Sequence, residues 1–96
     1  MLKENQKKLY DAFYESTHQN KFLDKKTDIL VGLSAAMSMN CYPCMKYYLK
    51  LAKANGIKKG EISEVLAKVM AVAAGQKKLQ AQEVIDSMSI DLDSFD

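Results

Sequence analysis

The chain has 96 residues and a mass of 10.8 kDa, which allows one domain (1–96) with a core hiding roughly two-thirds of the unfolded surface. Its 14 basic residues, all lysine, stand against 12 acids for a net charge of +2. That weak balance, without arginine's planar fork, excludes nucleic acid as an expected partner. Apolar residues make up 48% of the chain, a surplus of the kind that is often buried against another subunit.

Met1–Asn20 is charged throughout and has no apolar signal-type stretch. The uncharged segment Ile29–Pro43 contains Asn40 and is too short to span a bilayer. The expectation is a soluble cytoplasmic protein with no membrane partner.

With one proline and four glycines, and no alternating β-branched runs, the sequence reads as all-α. Lys3–Thr17 carries Leu9, Tyr10, Ala12 and Phe13 at helical spacing and forms an amphipathic first helix; polar Asn20–Lys26 follows as a connector. Thr27 or Asp28 caps the second helix by accepting an orphan backbone N–H. Ile29–Met39 is apolar or small on every side, so it requires neighbours on every side and is expected at the bundle centre. Gly32, Ser34, Ala35 and Ala36 allow those neighbours to approach closely.

Asn40 ends this helix, and Pro43 starts the third, where a missing N–H costs nothing. Asn55-Gly56 supplies a left-handed stop. Glu61 and Glu64 favour the positive start of a fourth helix, and Ile62, Val65, Leu66, Val69, Met70 and Ala73 form its stripe. Gly75 interrupts, and Ala81, Val84, Ile85 and Met88 mark a fifth helix. Glu83–Asp96 holds five acids and no base, so Ser89–Asp96 reads as an acidic tail, either flexible or laid against a lysine-bearing surface. The expected architecture is a small bundle of about five helices.

The only two cysteines form Cys41-Tyr42-Pro43-Cys44. Residues three apart share one helix face, and a helix N-terminus favours thiolate, the species that attacks in exchange chemistry. Reversible dithiol–disulfide chemistry is one reading, and two inert buried cysteines are another. A zinc site lacks ligands: His18 is the sole histidine and lies far away in the first helix, leaving only a site shared between subunits.

The stretch Lys26-Thr27-Asp28-Ile29-Leu30, the Ala-rich helix, Asn40-Cys41-Tyr42-Pro43-Cys44, Ala52, Asn55-Gly56, Glu61-Ile62 and Glu64-Val65-Leu66 carries a resemblance. Over about 25–84 the chain resembles the carboxymuconolactone decarboxylase/alkylhydroperoxidase D superfamily, commonly written C-x-x-C-x-x-x-H with an Ala…Gly segment and a Glu-Ile pair. The resemblance implies an alkylhydroperoxidase D-like helical fold assembled as a homo-oligomer (dimer, trimer or hexamer). It also implies hydroperoxide reduction, with Cys44 peroxidatic, Cys41 resolving and an external dithiol as reductant. A small peroxide or a disulfide is the expected substrate, and no bound cofactor or metal is called for.

The pattern departs from the family twice. Four residues after Cys44, histidine is replaced by Tyr48; twelve before Cys41, glutamate is replaced by Ile29, with Asp28 one residue off and so rotated about 100° around the helix. Tyrosine, with a reference pKa of about 10, is a poor base at pH 7 but can donate an O–H bond to a thiolate. Tyr48 is therefore a candidate donor for Cys44, or a core residue beside Met45, Leu49 and Ala52. His18 either replaces the missing base or is solvated, and Met37, Met39 and Met45 fill space around the dithiol. The alternative to an enzyme is a helical oligomeric or redox-sensing module with a degenerate site. The decarboxylase activity in the family's name is not expected, since no acid–base pair for a lactone acid is present.

Overall fold

The computed structural model describes residues 1–96 and contains four α-helices, a terminal 3-10 turn and no strand. The helices are α1 (Glu4–Ser16), α2 (Lys25–Ser38), α3 (Tyr42–Ala54) and α4 (Lys59–Ser87), followed by Leu92–Ser94 within the acidic tail. The all-helical expectation holds, with two corrections to the elements. α4 runs unbroken for 29 residues through Gly75, so the expected fourth and fifth helices are one. A glycine inside a helix costs about 1 kcal/mol, and the good formers around Gly75 (Ala73, Ala74, Gln76, Lys77, Lys78, Leu79) outweigh that. α2 begins earlier than its apolar run: the Asp24 carboxylate accepts from the Thr27 N–H at 2.7 Å, so Asp24 is the N-cap rather than Thr27 or Asp28.

α2 packs against both α3 and α4 and supplies three of the four buried residues, Ile29, Leu33 and Ala36; Ala52 of α3 is the fourth. The all-round apolar character of Ile29–Met39 therefore places it between neighbours, as its composition requires. Gly32 lies under the Tyr48 ring, where any Cβ would overlap ring carbons, so the small residue sets the closest approach of α2 to α3.

The α2–α3 and α3–α4 corners close the same way. After α2, Asn40 takes φ 56° and the Cys41 N–H donates to the Ala36 carbonyl at 2.9 Å. After α3, Gly56 takes φ 70° and the Ile57 N–H donates to the Ala52 carbonyl at 3.0 Å. These left-handed stops satisfy orphan carbonyls and reverse the chain, so α3 returns along α2 and α4 returns parallel to α2. At the start of α4 the Glu61 carboxylate accepts from the Lys58 N–H at 3.1 Å and pairs with Lys26 of α2, tying together the two N-termini. Those two bonds hold the Glu61 carboxyl below the usual glutamate range. Glu64 falls in the second turn, not the first.

At about 1.5 Å per residue α4 is some 43 Å long, about twice the length of α2, and it extends past the α2 C-terminus. α1 buries no residue, and none of its Cα atoms comes within 8 Å of another helix. Its link to the body is a run of rings: Tyr14 meets His18 edge-on at 4.8 Å, His18 meets Tyr47 at 5.6 Å, and Tyr47 meets Tyr48 edge-on at 4.9 Å. The radius of gyration is 19.1 Å, against roughly 12 Å for a compact domain of this length.

Candidate active site: a dithiol cleft between three helices

The site is built from the α2–α3 corner. Because Cys41 is both the residue that closes the α2 stop and the N-cap of α3, its position is fixed from two sides. Pro43 stands in the first turn of α3, where its fixed φ suits the helix and its missing N–H leaves no gap in the ladder. Cys44 follows in the same turn. Cys41 and Cys44 are joined by a disulfide, with Cα atoms 5.2 Å apart. Both residues are half-buried, neither sealed in the core nor fully exposed. At the helix start the Tyr42 and Cys44 amides have no intrahelical acceptor, and the N-terminal end of the dipole favours negative charge there once the disulfide is reduced.

A cleft of about 240 Å³ opens onto the pair. α2 lines it with Gly32, Ala35, Ala36 and Met39, α3 with Cys41, Cys44 and Tyr48, and α1 with Tyr14. Apart from the sulfurs, the only polar side-chain groups on this lining are two phenols. Tyr48 is one turn below Cys44, as its spacing predicts, and its ring is wedged between Gly32 and Tyr47. Burial pushes its hydroxyl above the ordinary tyrosine range, with Tyr14, Asp28 and Tyr47 adding to the shift by disfavouring a negative charge nearby. Tyr48 is therefore a neutral O–H donor at physiological pH. Neither phenol takes part in a side-chain hydrogen bond.

The remaining sequence candidates are placed elsewhere. Ile29, at the position of the family's glutamate, is completely buried in the core. Asp28 turns away from the dithiol and lines a separate cleft of about 200 Å³ with His18, Asn20, Leu23 and Lys25. His18 is in that second cleft and within the ring stack, not beside the sulfurs. Met39 lines the dithiol cleft, whereas Met37 faces α4 beside Val69 and Val72. No cluster of three or more His, Cys, Asp or Glu side chains gathers anywhere as a metal-binding set. No helix is long and apolar enough to cross a membrane.

Tyr14 is the functional candidate that the sequence did not bring forward. It lies on an exposed amphipathic helix, and only the i, i+4 pairing of Tyr14 with His18 hints at an aromatic contact.

The chain is thus a helical protein with a cysteine pair at a helix start, opening onto an apolar cleft that two phenols line. The chain belongs to the carboxymuconolactone decarboxylase family, whose sequence profile matches residues 6–87. No curated protein and no solved structure matches it significantly. Family membership and a pair at disulfide distance are compatible with redox activity.

Proposed function

We propose that the protein is a thiol-dependent oxidoreductase of alkylhydroperoxidase type, acting through the Cys41–Cys44 pair. The observation that carries this reading is the disulfide at the start of α3 on the floor of an apolar cleft. In the reduced form, the Cys44 thiolate attacks the terminal peroxide oxygen: an S–O bond forms, the O–O bond breaks, and the departing oxygen takes up a proton, in net the one Cys44 lost on ionising, to leave as an alcohol. The Cys41 thiol then attacks the resulting Cys44 sulfenic acid, forming the disulfide and releasing water. An external dithiol reduces the pair by exchange through a mixed disulfide. Tyr48 donates its O–H to the Cys44 thiolate, a role supported by its position on the same cleft wall and its neutral form. A small peroxide fits the 240 Å³ cleft, and a small disulfide is the alternative substrate. The working form is a cytoplasmic homo-oligomer, supported by the apolar surface that a single chain leaves open.

A second reading, a helical oligomeric or redox-sensing module whose disulfide alters packing without turnover, is favoured by one observation: the relay carboxylate is replaced by a core side chain, Ile29. Peroxide consumption with dithiothreitol as reductant separates the two. Wild type is expected to consume peroxide, and Cys44→Ser is expected to fall to the uncatalysed background. Equal consumption by both proteins rules out the peroxidase reading.

A further inference from the structure

The reduction of a hydroperoxide leaves one chemical requirement that the dithiol does not meet. When the O–O bond breaks, the departing oxygen becomes an alkoxide unless a proton reaches it in the same step, and a positioned acid lowers that barrier. In the family pattern a histidine serves proton transfer, and here Tyr48 stands in its place on the same helix as Cys44. In a displacement the leaving oxygen lies on the side of the peroxide remote from the attacking sulfur, so its donor must come from a wall other than that of the nucleophile. α2 offers that wall only Gly32, Ala35, Ala36 and Met39, none with a proton to give. α1 contributes a single residue, and it is a phenol, Tyr14.

We propose that Tyr14 is a catalytic residue of this site: its hydroxyl protonates the leaving oxygen, making α1 an essential wall of the dithiol cleft. The proposal rests on the peroxidase reading above. The Cys44 thiolate forms the S–O bond, the O–O electron pair goes to the departing oxygen, and that oxygen takes the Tyr14 proton to leave as an alcohol. The Tyr14 phenolate regains a proton from water, balancing the one Cys44 released on ionising. A phenol suits this task, since with a reference pKa of about 10 it is protonated at neutral pH and still more acidic than an alcohol.

The position of Tyr14 supports the role. Its ring meets His18 edge-on at 4.8 Å, and His18 continues the contact to Tyr47 of α3, so a residue from an otherwise detached helix is held at the cleft. Tyr14 and Tyr48 line the same small cleft from two different helices. Tyr14 remains 39% exposed, so substrate and water reach it.

The test uses the full-length protein and two peroxides that differ in their need for a proton. tert-Butyl hydroperoxide releases a strongly basic alkoxide; peracetic acid releases acetate, which departs without protonation. Single-turnover disulfide formation is followed by loss of free thiol in wild type and Tyr14→Phe, which keeps the ring and its stacking. The expected result is a loss of about 10² in rate with tert-butyl hydroperoxide, the lower end of general acid catalysis, and a change of less than about twofold with peracetic acid. An unchanged rate with both peroxides, or an equal loss with both, overturns the proposal, because a wall or stacking role does not depend on the leaving group. A wild type inert to both peroxides overturns the peroxidase reading itself, and the role of Tyr14 with it.

Discussion

At the scale of single residues, the contact that organises the site is Tyr48 over Gly32. An added methyl at Gly32 has no room beneath the ring, so Gly32→Ala must displace Tyr48 or separate α2 from α3. Overpacking of this kind costs about 1–3 kcal/mol, partly offset by the gain of up to about 1 kcal/mol in helix propensity. Gly60, in open space at the start of α4, provides the contrast: Gly60→Ala is expected to gain about 0.4–1 kcal/mol. Urea unfolding of both variants checks the pair, and a stabilised Gly32→Ala contradicts the contact. Tyr48 also confers a pH dependence. Its folded pKa is raised, so its contribution to stability is complete below the unfolded value of about 10 and is lost as pH climbs through the folded value. The melting temperature of wild type relative to Tyr48→Phe should therefore fall as pH rises above about 10. A constant difference across that window means that the hydroxyl is not desolvated in the fold. If Tyr48 donates to the thiolate, the same variant raises the pH at which Cys44 ionises, read from thiolate absorbance.

At the scale of elements, the α2–α3 corner decides whether the two cysteines meet. Asn40 holds φ 56°, a conformation that asparagine tolerates and most residues resist. Asn40→Ala is expected to cost about 1–2 kcal/mol and Asn40→Gly almost nothing, measured by thermal unfolding under reducing conditions. If the alanine variant matches the glycine variant, the left-handed stop is not what sets the corner. This corner was legible in the sequence, since Asn40 before Cys-x-Pro-Cys signals a stop followed by a start. So were the central place of Ile29–Met39 and the Asn55-Gly56 stop, because each follows from local backbone preference or from composition. The continuity of α4 was not. A single glycine is a weak breaker, and whether a helix crosses it depends on the propensities summed on both sides. Asp24 as the cap of α2 was missed because the apolar run marks where burial begins, not where the helix begins.

For the whole molecule, a single chain leaves a large surface open. Its accessible surface is 8285 Å², against about 5,500 Å² for a compact monomer of its mass. The excess, on the order of 2,700 Å², is larger than one partner's share of a standard protein interface, about 800 Å². Much of the open surface is apolar and linear: Leu66, Met70, Val72, Leu79 and Val84 are exposed along α4, Met88 just past its end, and Leu9, Tyr10 and Phe13 along α1. On the proposed homo-oligomeric reading, other copies of the chain would cover these helices and account for the surplus of apolar residues in the composition. Light scattering coupled to gel filtration should give a mass that is a multiple of 10.8 kDa. Leu79→Glu, on the overhanging half of α4, should lower that mass and reduce helicity together. A wild type that runs as a fully helical monomer would contradict the oligomer.

The sequence by itself determined the helical class, the stops that reverse the chain, the central apolar helix and the dithiol at a helix start. All of these are written in residues close together, through periodicity, capping and backbone preference. It also located the two substitutions at the family's relay positions, Ile29 and Tyr48. Only the tertiary structure decided what surrounds the sulfurs. It buried Ile29, turned Asp28 and His18 toward a different cleft, and brought Tyr14 from a helix 27 residues before Cys41 to the cleft that Tyr48 lines. The physical reason is that a cleft is formed by helices meeting, and the angle at which α1 reaches the body depends on a stack of rings distant in sequence, which no local pattern encodes.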